Sequence, residues 1–272
     1  PSVIVNIIRI ACSDIIADPD FESKLRTIKE LFLERDYIGV FGDLTNLPIY
    51  TAQYIPGRAL CYFNLFTRQP ALFALLTKRP RIFCMGGGAG SELAGPGSGP
   101  ESVVKETPST PAPLICHAQD FVDWGPTLAR LETTIRDIWH IPPTWFQTEF
   151  TVGNLLDIDH DLENRIAQAD LVTSLFLMNE LFCQQSKAMR LVTTLIKCLK
   201  PGKHFLLVDS AGSFSQIKIG NHTYMLYKVF DSLKQHFKPI ISDNNQWYRY
   251  PSHLQYPLRL DNMQYYIRLY EK

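Results

Sequence analysis

The sequence contains no run of eighteen apolar residues and no basic-then-apolar leader, so no segment reads as a membrane helix or a secretion signal. It also lacks any surplus of charge, with Lys plus Arg and Asp plus Glu each numbering 27 in 272 residues. Nucleic-acid binders usually carry a basic excess, so any contact with RNA must come from a local patch or from a partner. The six cysteines (Cys12, Cys61, Cys84, Cys116, Cys183, Cys198) form no C-x-x-C pair and have no histidine at ligand spacing, and the seven histidines stand apart. A zinc site, or any other metal site, is therefore not expected. Several of these cysteines lie in apolar runs, as buried free thiols do, which suits a reducing, intracellular compartment. The chain opens at Pro1 without an initiator methionine, as part of a longer protein would.

What is present is ordinary globular material, 46% hydrophobic and 20% charged, enough for one large α/β domain with added elements. Residues 1–78 read as a helical N-terminal region packed on a core that fills 79–272. Within the first part, 21–38 place Leu25, Ile28, Leu31 and Phe32 on one helical face. Pro48 and Pro56 punctuate the next segment, and a more buried helix runs from Arg58 to Phe66. Strands are expected at Ile82–Met85, Leu114–Gln119, Trp145–Leu156, Asp170–Met178 and His204–Asp209. Helices are expected at 123–139, 161–169, 185–199 and 229–237, and a closing pair of strands at 239–250 and 263–270. Residues 95–113, rich in Gly, Pro, Ser and Thr, read as a flexible loop that cuts short the helix begun at Glu92. Strands alternating with helices at this spacing predict a Rossmann-like, largely parallel sheet with helices on both faces.

The chemistry concentrates where the first strand meets its turn, Met85-Gly86-Gly87-Gly88-Ala89-Gly90-Ser91-Glu92. Glycines there let the backbone turn sharply and a ligand approach it, with N–H groups of the next helix facing that ligand. The dinucleotide fingerprint G-x-G-x-x-G fails, because its third glycine would be Ser91 or Leu93. The tighter Gly86-x-Gly88-x-Gly90 form resembles the S-adenosylmethionine loop of Rossmann-like methyltransferases. In such a sheet ligands sit at the carboxyl ends of the strands. That rule nominates Asp120 for the two ribose hydroxyls, or else as a helix cap. It nominates Asn154 for the adenine edge, or as a local turn, with Leu155 on the adenine face. At the end of the fourth strand it nominates Asn179 and Glu180 as the pair facing the methyl acceptor, unless Glu180 only pairs with an arginine such as Arg58. Arg58 and Tyr54 could cover the cofactor from the N-terminal helices. Trp247 and Arg249 suit stacking on a base and meeting phosphate, or else form an aromatic belt at a strand end.

Taken together, Tyr54-x-Pro-x-Arg58-Ala-Leu-x-Tyr62, the glycine loop, Asp120-x-x-Asp-Trp124, Met178-Asn-Glu-Leu181 and Trp247-Tyr-Arg-Tyr-Pro251 resemble a family of fungal methyltransferases. These modify a uridine of large-subunit ribosomal RNA at the ring nitrogen between the two carbonyls, N3. The resemblance runs from about residue 25 onward. It implies a seven-stranded sheet with an antiparallel hairpin at one edge, S-adenosylmethionine as methyl donor, and ribosomal RNA or a pre-ribosomal particle as partner. It also implies a site of action in the nucleus, nucleolus or cytoplasm, and Glu180 as the group that takes the uridine proton. Cys84 stands where many such enzymes carry an acidic residue, and Asn154 where aspartate is frequent. Two other readings remain open from the residues alone. One is a methyltransferase of a protein or small molecule; the other is a cofactor-binding sensor or ribosome assembly factor without turnover.

Overall fold

The computed structural model describes residues 1–94, 112–140, 142 and 144–272, so all but the last two residues of the expected loop at 95–113 lie outside the described residues. The chain begins with α1 (Ser2–Ala11), α2 (Ser13–Ile16) and α3 (Phe21–Glu34). The single helix expected over 21–38 is two helices. Arg35 turns into the left-handed region at φ 58°, and Asp36 caps α4 (Tyr37–Gly42) by accepting from Gly39 N–H at 2.9 Å.

Next comes α5 (Asn46–Arg68), which runs straight through Pro56, where the sequence suggested a break. A proline inside a helix frees the carbonyl four residues back. Here that carbonyl belongs to Ala52, and the Tyr256 hydroxyl donates to it at 2.7 Å from the far end of the chain. Punctuation by Pro56 was therefore overruled by a tertiary hydrogen bond that no local pattern could reveal. After α6 (Pro70–Leu76) the sheet begins.

Strands β1 (Arg81–Met85), β2 (Leu114–Asp120), β3 (Phe146–Val152), β4 (Leu171–Leu175) and β5 (His204–Ser210) are all parallel. All of β4 and four of the five residues of β1 are buried, as strands covered on both faces require. Between them run α7 (Ser91–Ala94), α8 (Gly125–Trp139), α9 (His160–Gln168), α10 (Met178–Leu181) and α11 (Gln185–Cys198). Beyond β5 come a small hairpin that the sequence did not suggest, β6 (Gln216–Ile219) with β7 (His222–Met225), and then α12 (Tyr227–Asp231). The antiparallel β8 (Lys238–Tyr248) and β9 (Met263–Glu271) close the main sheet. Its order is β3-β2-β1-β4-β5-β9-β8, seven strands with the expected antiparallel pair at one edge.

Two apolar layers sandwich this sheet. On one face Ile82, Cys84 and Val208 share a core with Ile8, Ile55, Leu60 and Leu131 from α1, α5 and α8. On the other, Phe83, Val172 and Leu207 pack with Ile166, Leu191 and Phe230 of α9, α11 and α12. Chain order reverses between β1 and β4, which opens a crevice at their carboxyl ends. Among the described residues no helix is long and apolar enough to cross a membrane.

The Tyr256 bond is directly testable. Tyr256→Phe should lower unfolding free energy by about 1–2 kcal/mol in urea titration, because Ala52 loses its partner. Tyr250→Phe is the control, since that buried hydroxyl has no hydrogen-bond partner among the described residues. Equal effects from the two changes would contradict this account of Pro56.

Candidate active site

Each strand end in the crevice delivers one kind of group. After β1 the glycine turn takes φ values of +64° at Gly86, +43° at Gly88 and +83° at Gly90, a region costly for residues with a Cβ. Gly88 N–H donates to Asp120 Oδ2 at 3.1 Å, and Val122 N–H reaches Asp120 Oδ1 at 3.3 Å. A Cβ on Gly88 would lie 3.6 Å from Asp120 Oδ2 and 3.9 Å from Trp124, in the space between loop and β2. At the end of β4, Phe176 sits at φ 57° and hands the chain to α10, which carries Glu180. The strand expected over 170–178 therefore stops at Leu175.

These groups line one cavity of about 290 Å³. Gly86, Gly87, Gly88 and Glu92 form one wall, with Asp120, Trp124, Asn154 and Leu155 beside them. Leu177, Glu180, Cys183 and Gln184 form the opposite end. The N-terminal helices supply the roof through Tyr37, Phe41, Tyr50 and Arg58. Arg35 ties this roof down by donating to the carbonyls of Ser213 and Phe214 at 3.4 and 3.3 Å.

Electrostatically the cavity is unusual. Arg58 lies in an aromatic box, 5.4 Å from the Tyr50 ring, 6.0 Å from Tyr54 and 5.8 Å from Phe176, and donates to the Tyr50 hydroxyl. Among the described residues it forms no ion pair with a carboxylate. Its charge acts on the carboxyl groups of Glu92, Glu180 and Asp209, and Asp120 in turn acts on Glu92 and Glu180. Burial pushes Glu92 and Glu180 up to about 8, and Asp120 and Asp209 up to about 6. Glu180 is only half-buried, because it fronts the cavity, yet protein encloses it on its other sides. Burial also raises the Tyr37 phenol to about 12, helped by the neighbouring Glu180.

Asp209, at the end of β5, was not singled out from the sequence. It is fully buried and accepts from Asn179 N–H at 3.0 Å, Ser210 N–H at 2.8 Å and Ser215 Oγ at 3.0 Å. It thereby holds the start of α10, and its charge adds to the upward shift at Glu180. A polar residue closing an apolar strand was the signal available. Trp124, Tyr37 and Tyr50 also line the cavity without having been nominated for it, because their neighbours are distant in sequence.

Of the nominated residues, Gly86, Gly87, Gly88, Glu92, Asp120, Asn154, Leu155, Arg58 and Glu180 meet at the cavity. Asn154 makes the local turn that was its alternative, accepting from Leu156 N–H at 3.0 Å and donating to Asp157 at 3.1 Å. Met85 points into the opposite core layer. Gly90 serves packing, since a Cβ there would come within 2.7 Å of Leu128. Asn179 stands behind Glu180 and off the cavity wall, its Oδ1 buried without a hydrogen-bond partner among the described residues. Tyr54 contributes to the box around Arg58. Trp247, half exposed under Arg249 at 5.3 Å, lies outside the cavity on β8. That strand runs parallel to β5, so its end shares the cavity's edge of the sheet, three strands from β4, roughly 14 Å away at sheet spacing.

The arrangement fits an S-adenosylmethionine molecule. Arg58 could meet its carboxylate and Glu92 its ammonium group. Asp120 could accept from the ribose hydroxyls with the acceptor sites its backbone bonds leave free, and Leu155 could pack on the adenine. Among the described residues no group of three His, Cys, Asp or Glu side chains could hold a metal ion.

Raised carboxyl pKa values have a stability consequence. A folded-state value above the unfolded one means that the unfolded chain releases its proton first, so stability falls as pH rises between the two. For Glu92 that window runs from 4.5 to about 8. The ligand-free protein should therefore melt at progressively lower temperature from pH 6.5 to about 8 and level off above that, a range above the depressed His117 and His204 titrations. Glu92→Gln should flatten the slope in scanning calorimetry; an unchanged slope would contradict the shift.

A family model described as "Putative SAM-dependent methyltransferase" matches residues 8–271. The chain is 28% identical over 282 aligned residues to the "25S rRNA (uridine(2843)-N(3))-methyltransferase" of Saccharomyces cerevisiae, covering 92% of this chain and 77% of that protein. Among solved structures it is similar to TehB from Haemophilus influenzae, with 10% identity, a TM-score of 0.43 and coverage of 78% and 67% of the two chains. It is also similar to the N-methyltransferase NodS from Bradyrhizobium japonicum in complex with S-adenosyl-L-homocysteine, with 8% identity, a TM-score of 0.39 and coverage of 79% and 98%. At those scores the likeness is loose, and the fold rests on the strand order described above. With a match that runs nearly end to end over the glycine turn, the Arg58 roof and the strand-end carboxyls, the chain belongs to this family of S-adenosylmethionine-dependent methyltransferases.

Proposed function

We propose that this enzyme methylates N3 of a uridine in large-subunit ribosomal RNA. The observation that carries the reading is Glu180, a carboxyl group with a pKa raised to about 8 at the acceptor end of the cavity. Support also comes from the substrate that the yeast relative's name gives. Such a substrate would place the enzyme where ribosomal RNA is made or assembled, in the nucleus, the nucleolus or the cytoplasm.

The nitrogen between the two uracil carbonyls carries a hydrogen and has no free lone pair until that proton leaves. S-adenosylmethionine, when bound, supplies a methyl group on a positively charged sulfur, which departs as a neutral thioether once a nitrogen lone pair takes the methyl. Glu180 accepts the N3 proton as its carboxylate becomes an acid, and a base matched to neutral pH suits that transfer. Asp209 holds the backbone of α10 so that Glu180 points inward. Tyr37 and Phe176 flank the space a base would enter. In a duplex or stem the uridine must first leave its stack to reach this enclosed site. Holding base and methyl donor in line supplies a further share of the acceleration.

The working form of Glu180 is the carboxylate, so transfer should rise with pH through about 8 and then level off. Incubation with labelled S-adenosylmethionine and RNA from unmodified large subunits, followed by digestion to nucleosides, should place label in 3-methyluridine. Glu180→Gln should lower the rate by about 10²–10⁴-fold and remove the pH limb. Cofactor binding without label in any nucleoside would contradict the substrate. Full activity in Glu180→Gln would contradict the base.

A further inference from the structure

The charge balance of the whole chain conceals a segregation. Residues 181–238 hold nine of the 27 lysines and arginines but only two of the 27 aspartates and glutamates. Those two are not surface counter-charges: Asp209 is buried beneath α10, and Asp231 is bound by Arg268 at 2.9 and 3.0 Å and by the Tyr270 hydroxyl. Acids from elsewhere in the chain pair Lys197, Lys203 and Lys238 (Glu163, Asp170 and Glu271), and the remaining cations leave the stretch basic on its outside, while the rest of the chain carries the acidic surplus.

Part of this stretch adjoins the cavity. Gln184, on the cavity wall, leads directly into α11, whose exposed Lys187 and Arg190 lie three residues apart on one side of the helix. Gln185 at the start of α11 donates to the Lys218 carbonyl on β6 at 3.2 Å, joining helix and hairpin into one surface. Lys218, His222, Tyr224 and Lys228 are all exposed there, with Lys228 6.0 Å from the Tyr224 ring and the His222 and Tyr224 rings 6.1 Å apart. Among the described residues Lys187 pairs with one acid, Asp157, in a loose and exposed contact at 3.7 Å. Cations interleaved with exposed rings are what a nucleic-acid strand requires, phosphates for the one and base faces for the other.

We infer that the β6–β7 hairpin together with the first two turns of α11 forms the RNA-binding surface, gripping the phosphates beside the nucleotide that enters the cavity. The inference deepens the ribosomal RNA reading and rests on it for the choice of polyanion. It also accounts for a hairpin that the sheet does not need.

The test is fluorescence anisotropy with a labelled large-subunit RNA stem-loop, titrated at several salt concentrations. Lys187→Glu/Lys218→Glu should weaken binding about tenfold or more and make the salt dependence shallower by one to two counter-ions. The control is Lys200→Glu, an exposed residue past the far end of α11, which should change neither. Binding of S-adenosylhomocysteine should be equal in all three proteins, which establishes that each is folded. Unchanged RNA affinity in the double variant, or an equal loss in Lys200→Glu, would overturn the surface. So would poly-glutamate binding as tightly as RNA with the same sensitivity, which would assign the face to an acidic protein. RNA held through this surface but never methylated would leave the inference standing and remove the uridine substrate; methylation with unaltered affinity in the double variant would do the reverse.

Discussion

Arg58 is the residue on which the site depends. A guanidinium enclosed by protein must be compensated, and an unpaired one would cost several kcal/mol. Aromatic faces and the Tyr50 hydroxyl supply part of that compensation, and Glu92, Glu180 and Asp209 act on it from further off, no carboxylate among the described residues closing an ion pair with it. One cation cannot satisfy three acids, so burial prevails and their pKa values rise. The result is a cavity that holds a cation in reserve, free of any carboxylate ion pair among the described residues. The N-terminal helices matter chiefly because they deliver Arg58 and its box to the strand ends, and because Arg35 clasps the connection after β5.

Asp209 links this electrostatic arrangement to chemistry. By accepting from the Asn179 backbone it fixes the turn after β4, where Phe176 adopts a left-handed conformation that a bulky residue normally avoids. That turn is what swings Glu180 toward the cavity and leaves Asn179 behind it. Burial, with the Asp209 charge adding to it, keeps Glu180 less acidic than an exposed glutamate, which is the property a base at neutral pH requires.

Much of this was legible in the sequence, for identifiable reasons. The parallel strands announce themselves as apolar runs, and the rule that ligands gather at strand ends picked out Asp120 and Glu180 from their positions alone. Legibility failed where distant residues decide the outcome. Pro56 continues its helix because Tyr256 bonds Ala52, two hundred positions away in the chain. The break at Arg35 depends on a left-handed residue that is neither glycine nor asparagine. Asn179 and Glu180 are neighbours in sequence, yet the short helix turns only one of them to the cavity. The hairpin after β5 was hidden by its brevity, and the net charge of zero masked the basic face it carries.

The central claim is that the reserved charge at Arg58 receives the amino-acid end of the cofactor. Calorimetry with two ligands tests it most directly: S-adenosylhomocysteine, which has that end, and methylthioadenosine, which lacks it. The account predicts that Arg58→Met weakens the first by about tenfold or more, as loss of a charge-assisted bond would, and leaves the second nearly unchanged. An equal loss for both ligands would mean that Arg58 only shapes the cavity, and would contradict the account.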